Sequence, residues 1–378
     1  MSTLVHSIRL LGSVSVDSDR ADAWALLDGD RVDAVGVGGE LPRADETVDG
    51  GGGCLLPGFI DIHGHGGARA SFDDGPEAVA AARAVHRAHG TTRAVLSLIT
   101  APIDDLAARV AMVADLSDAD PSILGSHLEG PFLDPGHKGA HTESLLRAPD
   151  AASVDRLLEA GRGTIRQVTL APERPGAFDA IRRFVDAGVA VAVGHTDADA
   201  ETTRRAFDAG ATLLTHAFNA MPPIHHRAPG PVVAALRDDR VTLEVIADGV
   251  HVDLELIATL FTVAGDRIAL ITDAMAAAGS QDGRYELGGL AVRVTDGVAR
   301  LEDGGAIAGS TLTQDAALRH VVGAGVPLEL AAHALSRRPA HAIGRDDLGT
   351  LDVGALADAV LLDGDLAVRR VWVGGRAV

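Results

Sequence analysis

Residues 58–67 read GFIDIHGHGG, an apolar run that ends in two histidines, His63 and His65, set among glycines. In a β-strand, side chains two residues apart point to the same side and lie roughly 7 Å apart along the chain. We therefore predict that both imidazoles face one space at the carboxyl end of a buried strand. The adjacent glycines, Gly64 and Gly66, leave room there for an ion and its water.

Seven further apolar, β-branched runs follow, and segments rich in Ala, Leu, Arg and Asp with helical character separate most of them. The eight predicted strands lie within residues 58–63, 93–100, 123–129, 165–173, 189–196, 211–218, 241–248 and 267–275. Strands that alternate with helices in this way predict an α/β fold, a (β/α)8 TIM-like barrel. A doubly wound open sheet is the alternative, but no Gly-x-Gly-x-x-Gly motif follows the first of these strands in a dinucleotide-binding setting.

Both ends of the chain have a different pattern, in which short apolar alternations are separated by Gly and Asp turns. Examples are ALLDGDRVDAVGV at residues 25–37 and LADAVLLDGDLAVRRVWVGGRAV at residues 356–378. Such segments are typical of short strands. We predict that residues 1–56 and 346–378 pair into one small β-sandwich domain, and that residues 57–345 form the catalytic barrel.

The amino-acid composition restricts the classes of partner. The chain has 378 residues and a formal net charge of −20, and such a field repels nucleic acid and anionic membranes. No apolar run suffices for a bilayer span, the N-terminus lacks the features of a secretory leader, and the single cysteine cannot form an intrachain disulfide. We expect a soluble, cytoplasmic protein with no nucleic-acid or membrane partner. An anionic substrate would need a local cluster of Arg, His or backbone N–H groups.

Six side chains with metal-binding chemistry fall on or at the predicted carboxyl ends of barrel strands: His63, His65, Glu129, His195, His216 and Asp273. Barrels of this kind keep their active sites at that end. Imidazoles and carboxylates are the usual ligands of zinc and related divalent ions. A single histidine in such a position is more often a hydrogen-bonded structural residue, but four histidines and two carboxylates together predict a metal centre.

Several short motifs resemble, in their joint order and spacing, those of the amidohydrolase superfamily. They are GFIDIHGHG, HLEGPF, KGAH, VGHT, THAFNAM, ADGVHV, ITDAM and AGSTLT. Within the superfamily they are similar to the branch that deacetylates N-acetylated amino-sugar phosphates, and the resemblance covers nearly the whole chain, including a β domain built from both termini. A small departure, Ala217 inside THAFNAM, removes no implied role.

The resemblance implies two divalent ions per subunit. Glu129, His195 and His216 match the ligands common to the family. His63 and His65 match the pair that holds a second ion, with Glu129 bridging the two. Zinc is the first choice, and iron, manganese and cobalt accept the same ligands.

The resemblance also implies the catalytic groups. Asp273 matches the family's catalytic aspartate, which is compatible with its being a metal ligand as well. Amide hydrolysis needs such a group, because a base must take a proton from the attacking water and then deliver it to the departing amine. His141, in KGAH, matches the histidine that binds and polarises the acetyl carbonyl and stabilises its developing oxyanion.

Four groups match those that bind the sugar phosphate in the family: the side chains of His251 and Arg227, and the backbone N–H groups of Asn219 and Ala220. The planar fork of an arginine suits phosphate because it donates two hydrogen bonds at once. In the family the matching arginine reaches across from a second subunit, which implies a homodimer with shared active sites. Two interpretations of the neighbouring His225 and His226 stay open, a part in the phosphate site and plain surface residues, and we favour the second.

The resemblance implies a metal-dependent hydrolase that releases acetate from N-acetyl-D-glucosamine 6-phosphate in amino-sugar catabolism and cell-wall recycling. One rival keeps the fold and changes the substrate to N-acetylgalactosamine 6-phosphate, a cyclic amide or a dipeptide. A second rival is a binding or assembly protein that has lost catalysis. All six predicted ligands are present, which disfavours the second rival.

Overall fold

A computed structural model describes all 378 residues of the chain. Its strands, numbered β1 to β21 in chain order, are Ser2–Leu10, Ala23–Asp28, Arg31–Val37, Glu46–Asp49, Cys54–Pro57, Phe59–Asp61, Gly66–Gly67, Ala70–Ser71, Thr91–Ile99, Ile123–Glu129, Ile165–Leu170, Ala190–Val193, Leu213–Leu214, Thr242–Ile246, Ile268–Ile271, Gly283–Leu287, Leu290–Thr295, Val298–Leu301, Ala359–Leu362, Val368–Val373 and Arg376–Ala377. Its α-helices, numbered α1 to α10, are Pro76–Ala88, Ile103–Ala119, Ala151–Gly161, Ala177–Asp186, Ala200–Asp208, Gly230–Leu236, Leu254–Ala264, Gln314–Gly323, Leu328–Leu335 and Arg337–Ala342. None of these helices combines the length and the hydropathy of a segment that crosses a bilayer.

Eight parallel strands form the central sheet in the order β6, β9, β10, β11, β12, β13, β14 and β15. The two outer strands of this sheet meet through Gln314, whose side-chain amide donates to the carbonyls of Ile60 at 3.0 Å and Leu270 at 3.4 Å. Just beyond them, the N–H of Asp273 donates to the carbonyl of His63 at 2.8 Å. The predicted (β/α)8 architecture is confirmed: seven of the eight predicted segments contain a whole strand, and the segment 93–100 overlaps β9, which begins two residues earlier at Thr91.

The barrel strands are buried on both faces, because helices cover the outside of the sheet and side chains fill the inside. Strand β9, TTRAVLSLI, is buried along all its nine residues. Helix α4 turns Ala177, Ala180, Ile181 and Phe184 inward at helical spacing. The strands and helices share one apolar core of 75 buried residues, which holds the carboxyl ends of the strands in place.

The two ends of the chain build a second β unit, as predicted. Strand β1 pairs with β2, and it pairs with β4 along its first half and with β5 along its second half. The change of partner falls at a bulge around Ser7, whose φ is 54°. β5 then pairs with β19, so two sheets that share β1 enclose a core of 14 buried residues that includes Trp372. The predicted limits at 56/57 and 345/346 stay a prediction.

A small antiparallel sheet, β16 to β18, follows the last barrel strand. Its apolar face, with Leu287 and Val292, packs against Met275 from the loop after β15. This sheet therefore stands beside the carboxyl ends of the barrel strands and forms one wall of the space described next.

Candidate metal centre and active site

The six predicted ligands converge at the carboxyl ends of the barrel strands. Glu129 is the last residue of β10, and four of the others lie two residues beyond the end of a strand: His63 after β6, His195 after β12, His216 after β13 and Asp273 after β15. All six are buried. Five of them, all but His63, line a cavity of about 350 Å³ that opens at this end of the barrel.

The Glu129 carboxylate lies at the centre of the cluster. Its Oε1 atom is 3.3 Å from His63 Nε2, 3.1 Å from His195 Nε2 and 3.3 Å from His216 Nε2. Its Oε2 atom is 3.0 Å from His65 Nε2 and 3.4 Å from His141 Nε2. One carboxylate thus faces all five imidazoles, which is the arrangement expected of a group that bridges two ions.

The donor atoms fall into two groups, each with its atoms within 4.8 Å of one another. One group is His63, His65 and Asp273, and the other is Glu129, His141 and His195. His216 belongs beside the second group, because its Nε2 atom is 2.9 Å from that of His195.

These residues fit divalent ions. The His63 Nε2 atom is buried without a hydrogen-bond partner, a costly arrangement unless the lone pair has a ligand to bind. The His195 and His216 nitrogens approach each other at a site where both face the carboxylate of Glu129. Buried imidazoles and carboxylates that converge in this way are a donor set for zinc, iron, manganese or cobalt.

The electrostatic field of the cluster favours a cation. Burial lowers the pKa of the His65 imidazole, but hydrogen bonds with Asp273 and Glu129 outweigh burial and raise this pKa to about 9. Burial likewise raises the pKa of the Glu129 carboxyl, yet the charge of His63 and hydrogen bonds from the other imidazoles hold it well below its ordinary value. A proton therefore occupies His65 at neutral pH in the absence of metal, and a bound ion would displace it.

Three of the six residues have a left-handed backbone, with φ of 46° at His195, 25° at His216 and 48° at Asp273. Such conformations cost non-glycine residues about 1–3 kcal/mol each and cluster at functional sites. Hydrogen bonds help to hold them here: His195 Nδ1 is 2.9 Å from the carbonyl of His137. The left-handed backbone at these three residues directs each side chain away from the line of its strand and into the shared cavity.

His141 also lines this cavity, and its Nδ1 atom is 2.8 Å from the hydroxyl of Thr100. Burial lowers the pKa of its imidazole to about 4, although Glu129 acts in the opposite direction. The ring is therefore neutral near pH 7. Thr100, the residue directly after β9, was not predicted as part of the site.

The predicted phosphate-binding residues separate into two places. His251 and the segment Asn219–Ala220 line the cavity. The Asn219 N–H donates to the carbonyl of His216 at 3.0 Å, whereas the Ala220 N–H has no partner within the chain. Arg227 does not line the cavity: it is exposed, and its Nη1 atom lies 2.5 Å from His226 Nε2.

A layer of buried polar side chains beneath the cluster escaped the sequence analysis. Glu244 accepts hydrogen bonds from His63 and Gln167, and His127 bonds Ser97 and Thr169. A charged residue inside an apolar strand, as in VTLEVI, is the signal that could have revealed Glu244, because buried carboxylates need partners.

Comparison with known proteins places this site in a wider context. The sequence model of the Amidohydrolase family matches residues 54–378. N-acetylgalactosamine-6-phosphate deacetylase of Escherichia coli O157:H7 is 43% identical over 329 residues, which are 85% of this chain and 87% of that protein. N-acetylglucosamine-6-phosphate deacetylase of Vibrio furnissii is 37% identical over 331 residues, 86% of this chain and 82% of that protein.

A solved structure is similar along the full length. It is a mutant of N-acetyl-D-glucosamine-6-phosphate deacetylase from Mycobacterium smegmatis in complex with N-acetyl-D-glucosamine-6-phosphate. The TM-score is 0.94 at 44% sequence identity, and the match covers 100% of this chain and 98% of that one. The barrel and the β domain from both termini thus have the same overall fold as that structure.

Proposed function

This chain belongs to the amidohydrolase family, whose members depend on divalent metal ions, and we propose that it deacetylates N-acetyl-D-glucosamine 6-phosphate to D-glucosamine 6-phosphate and acetate. The reaction belongs to amino-sugar catabolism and cell-wall recycling. One observation carries the proposal: five of the six proposed metal ligands line a single cavity, large enough for a sugar, together with His141 and His251.

The proposed ligands divide between two ions, for which zinc is favoured. Glu129, His195 and His216 hold one, and His63, His65 and Asp273 hold the other, with the Glu129 carboxylate between them. The distances of 3.0 to 3.4 Å from the Glu129 oxygens to the surrounding nitrogens support this bridging role. Divalent ions bound there would polarise the amide carbonyl and lower the pKa of the attacking water.

Asp273 is proposed to move the proton. Burial raises the pKa of its carboxyl, but the charge of His63 and a hydrogen bond from His65 lower it below its ordinary value. The ionised carboxylate accepts a proton from the attacking water at an Oδ atom and then delivers it to the amide nitrogen. An amine leaves only after this protonation, so the same group serves both steps.

His141 is proposed to bind the acetyl carbonyl oxygen and to stabilise the charge that develops on it. This role requires the proton of the neutral ring to sit on Nε2. The hydroxyl of Thr100 lies 2.8 Å from Nδ1 and donates to the Glu129 carbonyl at 3.2 Å, so the proposed role requires its single proton to be given to Nδ1 instead.

The phosphate is proposed to bind His251, the N–H groups of Ala220 and Asn219, and Arg227 of a second subunit in a homodimer. No lysine or arginine lines the cavity of one chain, and the net charge of −20 makes a local cation necessary. The Asn219 N–H would have to exchange its present bond to His216. Because phosphorylated sugars do not cross membranes unaided, we also propose a cytoplasmic location.

The test is acetate release from N-acetylglucosamine 6-phosphate, run beside unphosphorylated N-acetylglucosamine and N-acetylgalactosamine 6-phosphate, with added metal and with chelator. We expect metal-dependent turnover of the glucosamine phosphate, loss of turnover with chelator, and little turnover of the unphosphorylated sugar. The relative of 43% identity is named as a deacetylase of N-acetylgalactosamine 6-phosphate. A clear preference of this chain for that sugar phosphate would overturn the choice of epimer. Silence on all three sugars in the metal-loaded protein would overturn the proposal.

A further inference from the structure

Glu244 is a fully buried carboxylate in the middle of β14, between apolar neighbours. A charge in such a place is strongly unfavourable unless it is paired and hydrogen-bonded. Its Oε2 atom is 3.0 Å from His63 Nδ1, and its Oε1 atom accepts a 2.6 Å hydrogen bond from Gln167 Nε2. The N–H of His216 also points to Oε2, at 3.4 Å.

The contact with His63 decides which nitrogen of that ring carries the proton. A carboxylate accepts only, so the hydrogen bond requires Nδ1–H, and the lone pair is then on Nε2. That Nε2 atom has no hydrogen-bond partner and faces Glu129 Oε1 at 3.3 Å and Asp273 Oδ1 at 3.5 Å. Glu244 thus turns the binding atom of His63 toward the cluster.

The other proposed histidine ligands are held differently. The Nδ1 atom of His195 meets a backbone carbonyl, that of His137, at 2.9 Å. The Nδ1 atoms of His65 and His216 have no hydrogen-bond partner. His63 is therefore the one proposed ligand whose tautomer depends on an ionisable side chain that can be replaced.

We propose that Glu244 is a positioning residue that, by fixing His63 as the Nδ1–H tautomer, sets the affinity of the ion held by His63, His65 and Asp273. This inference rests on the metal centre of the proposed function. Carboxylates that hold a metal-binding histidine in this way typically contribute 10–100-fold to metal affinity. The ion at Glu129, His195 and His216 should depend on Glu244 far less.

The experiment is a zinc titration of the full chain against a chromophoric chelator, which yields the number of ions and each affinity. We expect two ions for the wild type, and for E244L about 10–100-fold weaker binding of one ion with the other unchanged. E244Q should weaken the binding of this ion less than E244L does, because an amide oxygen can still accept the hydrogen bond from His63 Nδ1–H. The matched control is T169V, a similar buried change in a residue that bonds His127 and Thr215, and it should bind both ions like the wild type.

Nitrogen-15 spectra of the histidines give a readout that a merely structural role would not move. In the zinc-loaded protein, the Nδ1–H proton of His63 should resonate far downfield in the wild type, because it is hydrogen-bonded to Glu244, and it should move upfield in E244L. The inference is overturned if E244L and E244Q bind both ions like the wild type, if both ions weaken equally, or if the wild type binds only one ion. Wild-type protein that binds two ions yet releases no acetate from any of the sugar phosphates would instead overturn the proposed function and leave this inference standing.

Discussion

Asp273 combines two demands in one side chain. Its Oδ1 atom lies 3.5 Å from His63 Nε2 and 3.4 Å from His65 Nε2, close enough to share an ion with them. Its left-handed backbone nevertheless aims the carboxylate into the cavity, where 11% of the side chain stays exposed. A group that both touches the ions and reaches the substrate is suited to move a proton between water and amine.

We predict that Asp273→Asn lowers kcat by about 10²–10⁴-fold, because an amide has nearly the same shape but cannot accept the proton. The ion at Glu129, His195 and His216 should remain. Steady-state acetate release and elemental analysis measure the two quantities. Asp104→Asn, a change at a side chain that is 89% exposed, serves as the control, and near-normal turnover of Asp273→Asn would contradict the proton-transfer role.

Helices α1 and α8 are tied to each other at their ends. The buried carboxylate of Asp315, in the first turn of α8, accepts hydrogen bonds from His89 Nδ1 at 3.0 Å, from the Thr313 hydroxyl at 2.6 Å and from Arg319 Nη1 at 3.0 Å. Burial raises the pKa of the Asp315 carboxyl, but these bonds outweigh burial and lower it strongly. The hydrogen bond to Asp315 raises the pKa of His89, which caps the end of α1.

We predict that Asp315→Asn lowers the free energy of unfolding by about 1–3 kcal/mol, since it leaves charged donors without a carboxylate. The Asp315 contribution is present above its unfolded pKa, near 4, and is lost as the pH falls below that value. The His89 contribution is complete below its unfolded pKa, near 6.5, and is lost as the pH rises through its raised folded pKa. Because 41% of the His89 side chain is exposed, solvent screening limits its share to about 0.2–1 kcal/mol.

Denaturant unfolding at several pH values measures this effect, and the deficit of the variant should be greatest between about pH 4 and 6.5. Asp104→Asn again provides the comparison, because Asp104 lies in the first turn of α2 but is exposed. Its effect should stay within about 0.5 kcal/mol. A deficit for Asp315→Asn that did not change with pH would show that packing, rather than charge, holds the two helix ends together.

The molecule as a whole lacks a strong cation where a sugar phosphate would bind. The titratable side chains that line the cavity of a single chain are histidines, Glu129 and Asp273, with neither lysine nor arginine among them. Arg227 is exposed on a loop after β13. An exposed arginine on one chain and an anion site without one are complementary. This complementarity is consistent with the proposal that two chains share their active sites.

We predict that Arg227→Ala raises KM for the sugar phosphate about 10–100-fold, the equivalent of roughly 1.5–3 kcal/mol for a charged hydrogen bond, with little change in kcat. A mixed dimer of Arg227→Ala and Asp273→Asn chains then locates the arginine. If Arg227 reaches across, one of the two sites combines an intact Asp273 with an intact Arg227 and has the wild-type KM. If Arg227 instead binds the phosphate in its own chain, the mixed dimer shows only the raised KM. The mixed dimer is obtained by co-expressing the two variants with different affinity tags.

Much of this protein was predictable because its signals are local. Runs such as RAVLSLIT and IALIT mark buried strands through their composition alone. The predicted ligands follow those runs, and parallel strands bring their carboxyl ends to one rim. The barrel, the pairing of the two termini and the convergence of His63, His65, Glu129, His195, His216 and Asp273 could all be expected from the sequence.

The sequence by itself therefore determined the fold class and the kinds of atom at the site, since periodicity and residue chemistry are properties of short segments. Only the tertiary structure decided how those atoms are held. His195, His216 and Asp273 have a left-handed backbone, although none of them is a glycine or an asparagine, the residues that signal this conformation in a sequence. The Glu244–His63 contact joins residues 181 positions apart. Contacts between residues so far apart in the sequence form only when the whole chain folds. The strained backbone conformations likewise persist only because the packed core holds them.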